Sequence, residues 1–238
     1  MLDERPFSFE ANLLKLNNMN INKLIDHTNL KADANLEAIK KTCQEAKEYG
    51  FRSVCINPRW VGVAKNELRG TDIKVVTVID WPCGASSTEV RAFQAKVAKK
   101  DGADEIDPVI DVGALKAGDD KAVLRDLQEL AKILPTKVII ESGFLNDEQI
   151  KKAARIVKAA GCYCVKTSTG LDPKTDIDTK INHVKLIRSE VGETFPIKAS
   201  GGINTKDDVQ RLVEAGATII GTSSSLKIIG VSQKTESY

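Results

Sequence analysis

Long apolar runs are missing from this chain of 238 residues. No stretch approaches the roughly 18 apolar residues that a membrane span needs, and the start, with Asp3, Glu4 and Arg5 and no apolar run behind them, is not expected to act as a secretory leader. An excess of either charge is missing too. With 35 Lys+Arg against 33 Asp+Glu the net charge is +2, so neither a polyanion-binding surface nor a nucleic-acid partner is expected. Histidine is scarce: only His27 and His183 are present, neither at ligand spacing from Cys162 and Cys164, so no metal site is expected. No Gly-x-Gly-x-x-Gly follows an apolar strand, which removes the usual dinucleotide signature. Five cysteines, an odd number with no secretion signal, read as reduced thiols in a cytoplasmic protein.

What is present is repetition. Short β-branched segments, read as strands at Leu24 to Asp26, Ser53 to Asn57, Lys74 to Asp80, Glu105 to Ile110, Lys137 to Glu141, Cys162 to Thr167, Pro196 to Ser200 and Thr218 to Thr222, alternate with amphipathic stretches. The stretches Leu36 to Tyr49, Thr88 to Lys100, Ala122 to Leu134, Asp147 to Ala160, Ile177 to Val191 and Lys206 to Ala215 carry apolar residues at helical spacing. The repeat is about 28 residues, enough for a strand, a helix and two short loops, and alternation of this kind demands a parallel sheet. Gly50, Gly102, Gly161 and Gly216 stand where helices must stop before the next strand. Eight units favour a closed (β/α)8 TIM barrel in a single domain over an open sheet. Residues 1–20 are expected to form an N-terminal helical extension, 21–230 the barrel and 231–238 a tail.

Charged residues should be scarce in strands buried on both faces. Yet Asp26, Asp107, Glu141, Lys166 and Lys198 fall within or near the ends of strands one, four, five, six and seven, where a barrel places its chemistry. Asp and Glu there can also cap helices or pair with lysines; two lysines together are harder to explain that way. Lys166 follows Cys162 and Cys164 in steps of two, which predicts one shared strand face, and Lys198 lies one βα unit later on the adjacent strand. At roughly 5 Å and an effective dielectric near 20, two ammonium groups repel by on the order of 3 kcal/mol, enough to favour the neutral amine on one of them. A neutral buried lysine attacks carbonyls, which points to Schiff-base chemistry. Thr167 to Gly170, Ser200 to Gly202 and Gly221 to Ser225 follow three consecutive strands, and such loops offer backbone N–H groups to an anion.

The segments Ile25 to Lys31 (IDHTNLK), Val54 to Pro58 (VCINP), Gly102 to Asp107 (GADEID), Val165 to Gly170 (VKTSTG) and Lys198 to Ile203 (KASGGI) resemble the class I deoxyribose-phosphate aldolase family, in one register over residues 22 to 230. The resemblance implies reversible cleavage of 2-deoxy-D-ribose 5-phosphate to D-glyceraldehyde 3-phosphate and acetaldehyde, with no cofactor. It implies Lys166 as nucleophile, Lys198 as the neighbouring cation that favours its neutral form, and Asp107 as proton-relay carboxylate. Asp26 would bind a substrate hydroxyl or orient the relay, and Cys55 would line the pocket. Thr167, Gly170, Gly201, Gly202, Ser223 and Ser224 would hold the substrate and its phosphate. Leu171 and Asn204 stand where some members carry a basic residue, so Lys174, Lys31 or backbone amides are the substitutes available. Pro108, unusual inside a strand, predicts a bulge that aims Asp107 inward. Tyr238 ends the chain, as a tyrosine does in some members; an eight-residue tail spans at most about 26 Å, enough to reach the mouth and assist proton transfer. An unphosphorylated acceptor aldehyde and a non-catalytic sugar-phosphate sensor are the competing readings, and outer helices of such barrels allow a homo-oligomer.

Overall fold

A computed structural model describes residues 20–172 and 175–231. The expected N-terminal extension, apart from Asn20, lies outside the described residues, and so do Lys174 and the tail beyond Val231, with Tyr238. Eight strands are present: β1 Ile25–Asn29, β2 Ser53–Ile56, β3 Lys74–Ile79, β4 Glu105–Pro108, β5 Lys137–Ile139, β6 Cys164–Lys166, β7 Ile197–Ser200 and β8 Ile219–Thr222. All pair in parallel in the order β4-β3-β2-β1-β8-β7-β6-β5. The two ends of that order meet through bridges from Ile106 to Thr136 and from Val109 to Ile139, which close the barrel.

Pro108 explains why this seam is thin. Ile106 and Ile110 donate to the Pro135 and Ile139 carbonyls on the β5 side (3.0 and 2.8 Å). Residue 108 lies midway on that same side and has no N–H to give. The expected bulge is absent, because β4 keeps one unbroken register with β3 from Glu105 to Pro108.

Period two governs the wall. Val54 and Ile56, Val75 and Ile79, Val138 and Ile140, and Ile197 and Ala199 point outward into a single core shared with the surrounding helices. The described helices are α1 Leu36–Tyr49, α2 Val61–Glu67, α3 Thr88–Asp101, α4 Val112–Ala117, α5 Asp120–Ala131, α6 Asp147–Ala159, α7 Ile177–Val191, α8 Lys206–Glu214 and α9 Ser225–Ile228. Their starts are local. Asn35 accepts from the Ala38 amide to open α1, and reciprocal capping boxes open α6 (Asn146 with Gln149) and α8 (Thr205 with Asp208). Gly50 and Gly102 close α1 and α3 at φ +65° and +102°, which a side chain resists. Helices α2 and α4 have no counterpart in the sequence reading, since seven and six residues carry little periodic signal. No described helix is long and apolar enough to cross a membrane.

Candidate active site

The inward row of the wall is charged. Asp26, Asp107, Lys137, Lys166 and Lys198 make contact between strands that are not neighbours, which is possible only through the barrel interior, and Glu105 joins them through Lys137 across the β4–β5 seam. Asp107 is the hub: its Oδ2 accepts from Lys166 Nζ (2.9 Å) and from Lys198 Nζ (2.8 Å). Lys137 Nζ lies 2.9 Å from Asp107 Oδ1 as an ion-pair contact out of line for a hydrogen bond, and this buried oxygen has no hydrogen-bond partner among the described residues. Lys198 also donates to Asp26 Oδ2 (2.5 Å), and Lys137 donates to Glu105 Oε2 (2.5 Å). Ser53 Oγ and Arg52 Nη1 complete Asp26, each donating to Oδ1 at 2.6 Å.

Solvation and pairing oppose each other here. Burial alone would raise the Asp26 and Asp107 carboxyls, but the lysines around them outweigh it and hold both below the ordinary carboxylate range. Burial would lower Lys137 and Lys198, and their carboxylate partners, Asp107 first, reverse that and hold both above the ordinary lysine range. Burial outweighs the pull of the nearby lysines at Cys164, whose thiol is pushed up to about 12, and Cys55 is raised for the same reason. Both thiols are therefore neutral wall atoms and not nucleophiles.

A cleft of about 550 Å3 opens above this layer, and Lys166 is the member of the layer that lines it. The expectation that five charged groups converge on one mouth is corrected. Asp26 and Lys198 are the second residues of their strands and lie fully buried with Asp107 beneath the cleft, while Cys55 is fully buried in the wall with Val76 and Val78. Glu141 follows β5 in a left-handed conformation and accepts from the Thr169 amide at the rim. Cys162 does not share the face of Cys164 and Lys166. The strand begins only at Cys164, and the Cys162 thiol turns outward to the Leu127 carbonyl on α5.

The far side of the cleft is made by the three loops. Thr169, Gly170, Gly201, Gly202 and Ser223 line it, and the amides of Gly201, Gly202 and Ser223 donate no hydrogen bond among the described residues. Gly201 must be glycine: at φ +88° a Cβ would sit 2.9 Å from Ser168 Oγ and 3.0 Å from Gly170 Cα. Gly221 is required for another reason, because Lys198 Cε would lie 2.7 Å from its Cβ. Thr167 is buried and exchanges hydrogen bonds with Ser200, which sews β6 to β7. Asn204 bridges two loops, donating to the Gly202 carbonyl and accepting from Ser224 Oγ. Ser224 is thus a strut and does not line the cleft. Leu171 lines it and is 59% exposed.

Sequence reasoning passed over several residues of the site. Lys31, held there only as a substitute, and Lys41 both line the cleft, with no salt bridge among the described residues. Leu30 and Trp81 form an apolar wall against Cys55, Val76 and Val78. Glu105, Lys137 and Arg52 support the layer from below; a search for charge at the first residue of each strand, not only near the C-terminal ends, would have found the first two. His27 is a hydrogen-bonded strand histidine, held by Ser225 Oγ and Glu45 Oε2, both at 2.8 Å. Among the described residues no cluster of His, Cys, Asp and Glu is arranged to hold a metal.

Residues 21–232 match the model of the DeoC/LacD family aldolases. The chain is 46% identical over 217 residues to the deoxyribose-phosphate aldolase of Thermoanaerobacter sp. (strain X514), covering 89% of this chain and 96% of that one. It is 47% identical over 215 residues to the enzyme of the same name from Bacillus cereus (strain AH187), covering 89% and 95%. Among solved structures it is similar to a putative deoxyribose-phosphate aldolase from Coccidioides immitis, with a TM-score of 0.82, 35% identity and coverage of 88% and 84%. It is also similar to a deoxyribose phosphate aldolase from Aeropyrum pernix described as tetrameric, with a TM-score of 0.79, 30% identity and coverage of 93% and 97%.

Proposed function

The chain belongs to the DeoC/LacD family of aldolases, and on that footing we propose that it cleaves 2-deoxy-D-ribose 5-phosphate reversibly to D-glyceraldehyde 3-phosphate and acetaldehyde, with Lys166 as the Schiff-base nucleophile. One observation carries the assignment: Lys166 alone among the interior charges opens on the cleft. Its amine attacks the C1 carbonyl, the carbinolamine loses water, and the resulting imine draws electrons from the C2–C3 bond. As that bond breaks, the C3 hydroxyl gives up its proton and becomes the aldehyde of the three-carbon product. The enamine left on Lys166 is protonated at C2 and hydrolysed to acetaldehyde.

Asp107 handles these protons. Its Oδ2 is occupied by two lysines, while Oδ1 has no hydrogen-bond partner among the described residues and is the acceptor that remains. A carboxylate held so low by its cations does not keep a proton at neutral pH, so it passes one on. Lys198, locked between Asp26 and Asp107, stays charged and orients that carboxylate. Asp26 acts one step further back, through Lys198. The phosphate is received by the amides of Gly201, Gly202 and Ser223, with Lys31 and Lys41 as the cations of the same cleft. Leu171 at that end favours a second reading, in which an unphosphorylated acceptor aldehyde is also used; the ratio of kcat/KM for glyceraldehyde 3-phosphate and glyceraldehyde decides it.

Acetaldehyde with borohydride tests the nucleophile. An ethyl adduct on Lys166, located by peptide mass spectrometry, supports aldolase chemistry; no adduct would leave a sugar-phosphate sensor. Five free cysteines, four of them buried, support a reducing, cytoplasmic location. The exposed row Val90, Phe93 and Val97 on α3, together with a tetrameric relative, supports a homo-oligomer, which light scattering would measure.

A further inference from the structure

The charges below Lys166 do not balance. Three buried carboxylates, Asp26, Glu105 and Asp107, face three buried lysines, Lys137, Lys166 and Lys198. Arg52, at the N-terminal edge of β2, adds a fourth cation. Its Nη1 lies 2.6 Å from Asp26 Oδ1 and its Nη2 2.7 Å from Glu105 Oε1, with its side chain 17% exposed. Lys74 touches Glu105 from the bottom of the barrel, half-exposed and screened by water. The remaining titratable groups facing the layer do not offset this surplus: the Cys55 and Cys164 thiols and the Tyr163 phenol are all raised by burial and neutral, and Glu141 is engaged at the rim by the Thr169 amide. Lys166 has the weakest claim on counter-charge, since its one carboxylate contact is an oxygen it shares with Lys198.

We propose that Arg52 is a positioning residue for imine formation: by occupying Asp26 and Glu105 at the closed end of the barrel, it withholds the negative charge that would otherwise keep Lys166 an ammonium. It touches no substrate and acts through the two carboxylates. Without Arg52 the buried lysines and carboxylates match in number, and Lys166 retains its proton at neutral pH. A guanidinium suits the role because it stays charged at any working pH and its planar fork reaches both carboxylates at once.

This inference rests on Lys166 as nucleophile, and one experiment separates the two. Trapping of acetaldehyde on Lys166 by borohydride is timed from pH 5 to 10 in the full-length chain and its variants. Arg52→Gln, which keeps hydrogen-bond donors but removes the charge, moves the midpoint of the rate profile up by about one unit. Trapping then slows about tenfold below the midpoint and matches the unsubstituted chain on the high-pH plateau. Arg52→Lys keeps the original midpoint. If Arg52→Gln does not fold, Glu105→Gln is compared with the double variant Arg52→Gln/Glu105→Gln, and the midpoint lies about one unit higher in the double variant. Superimposable profiles in either comparison, or a loss equal at every pH and not rescued by Arg52→Lys, overturn the proposal. Absence of any adduct on Lys166 in the unsubstituted chain would instead overturn the nucleophile assignment.

Discussion

The outer and inner faces of the barrel wall come from the same strands, one residue apart, and are stabilised by opposite means. Outward residues such as Val54, Ile56, Ile106 and Ile140 bury apolar area against the helices, each worth roughly 1.5–3 kcal/mol. Contributions of that kind are non-directional and nearly interchangeable. Beside neutral residues such as Cys55, Val76 and Val78, the inner face carries charges, and each charge is tolerable only because its partners lie within hydrogen-bonding distance: Lys137 with Glu105, Lys198 with Asp26, Asp107 with three lysines. Removing one member strands the others in a dry interior. The outer face makes the barrel stable, and the inner face spends part of that stability on holding an amine and a carboxylate in reacting geometry.

The sharpest way to break the comparison is at Lys166. Lys166→Met abolishes aldol cleavage, leaving less than about one-hundredth of turnover, a loss of at least about 2.7 kcal/mol in the barrier. The fold survives because Asp107 keeps Lys198 and Lys137. Steady-state turnover beside a thermal melt checks both halves. On stability the largest effect is at Glu105→Leu, which leaves Lys137 and Arg52 without their shared carboxylate and costs about 3–5 kcal/mol in urea unfolding. One residue along, on the outer face, Ile106→Val costs only about 0.5–1.5 kcal/mol. Equal losses at positions 105 and 106 would erase the distinction between the faces.

A third test uses acid. Glu105 is held down to about 2 from 4.5: burial raises it, and Lys137 and Arg52 overcome that. A carboxyl depressed on folding contributes stability that is fully present above its unfolded value and lost as pH falls through its folded one. Stability of the unsubstituted chain therefore declines between about pH 4.5 and 2, and the decline is shallower in Glu105→Gln; matching slopes would count against the pairing. The smallest effect is at Lys198. Lys198→Leu slows imine formation about tenfold at pH 7 and much less at pH 9.5, because loss of a neighbouring positive charge matters only while the lysine amine is protonated. A defect equal at both pH values would mean that Lys198 works by contact alone.

How much of this was legible before folding depends on the range of the interaction. Strand and helix alternation, the caps at Asn35, Asn146 and Thr205 and the glycine stops are encoded within a few residues, so period and punctuation carry the eightfold repeat. The pairing of Lys166 with Lys198 could be anticipated from one βα spacing, and the register places them side by side. Pro108 was visible as an anomaly, but its effect on the seam with β5 was not, because that effect depends on which side of the strand its nitrogen faces. Cys162 was misplaced for a similar reason: two residues of strand length decide whether a side chain points inward.

By itself, then, the sequence determined the class of fold, the chemistry of a lysine carrying strand and the loops that can bind an anion, since each is written in local period and residue type. The depth at which each charge sits was decided by tertiary structure alone. Asp26, Glu105, Asp107, Lys137 and Lys198 come from four strands spread over 172 residues of chain. Only closure of the barrel brings them into one low-dielectric layer and leaves Lys166 as the member open to the cleft. Coulomb energy depends on distance and on the exclusion of water, and neither exists along an unfolded chain.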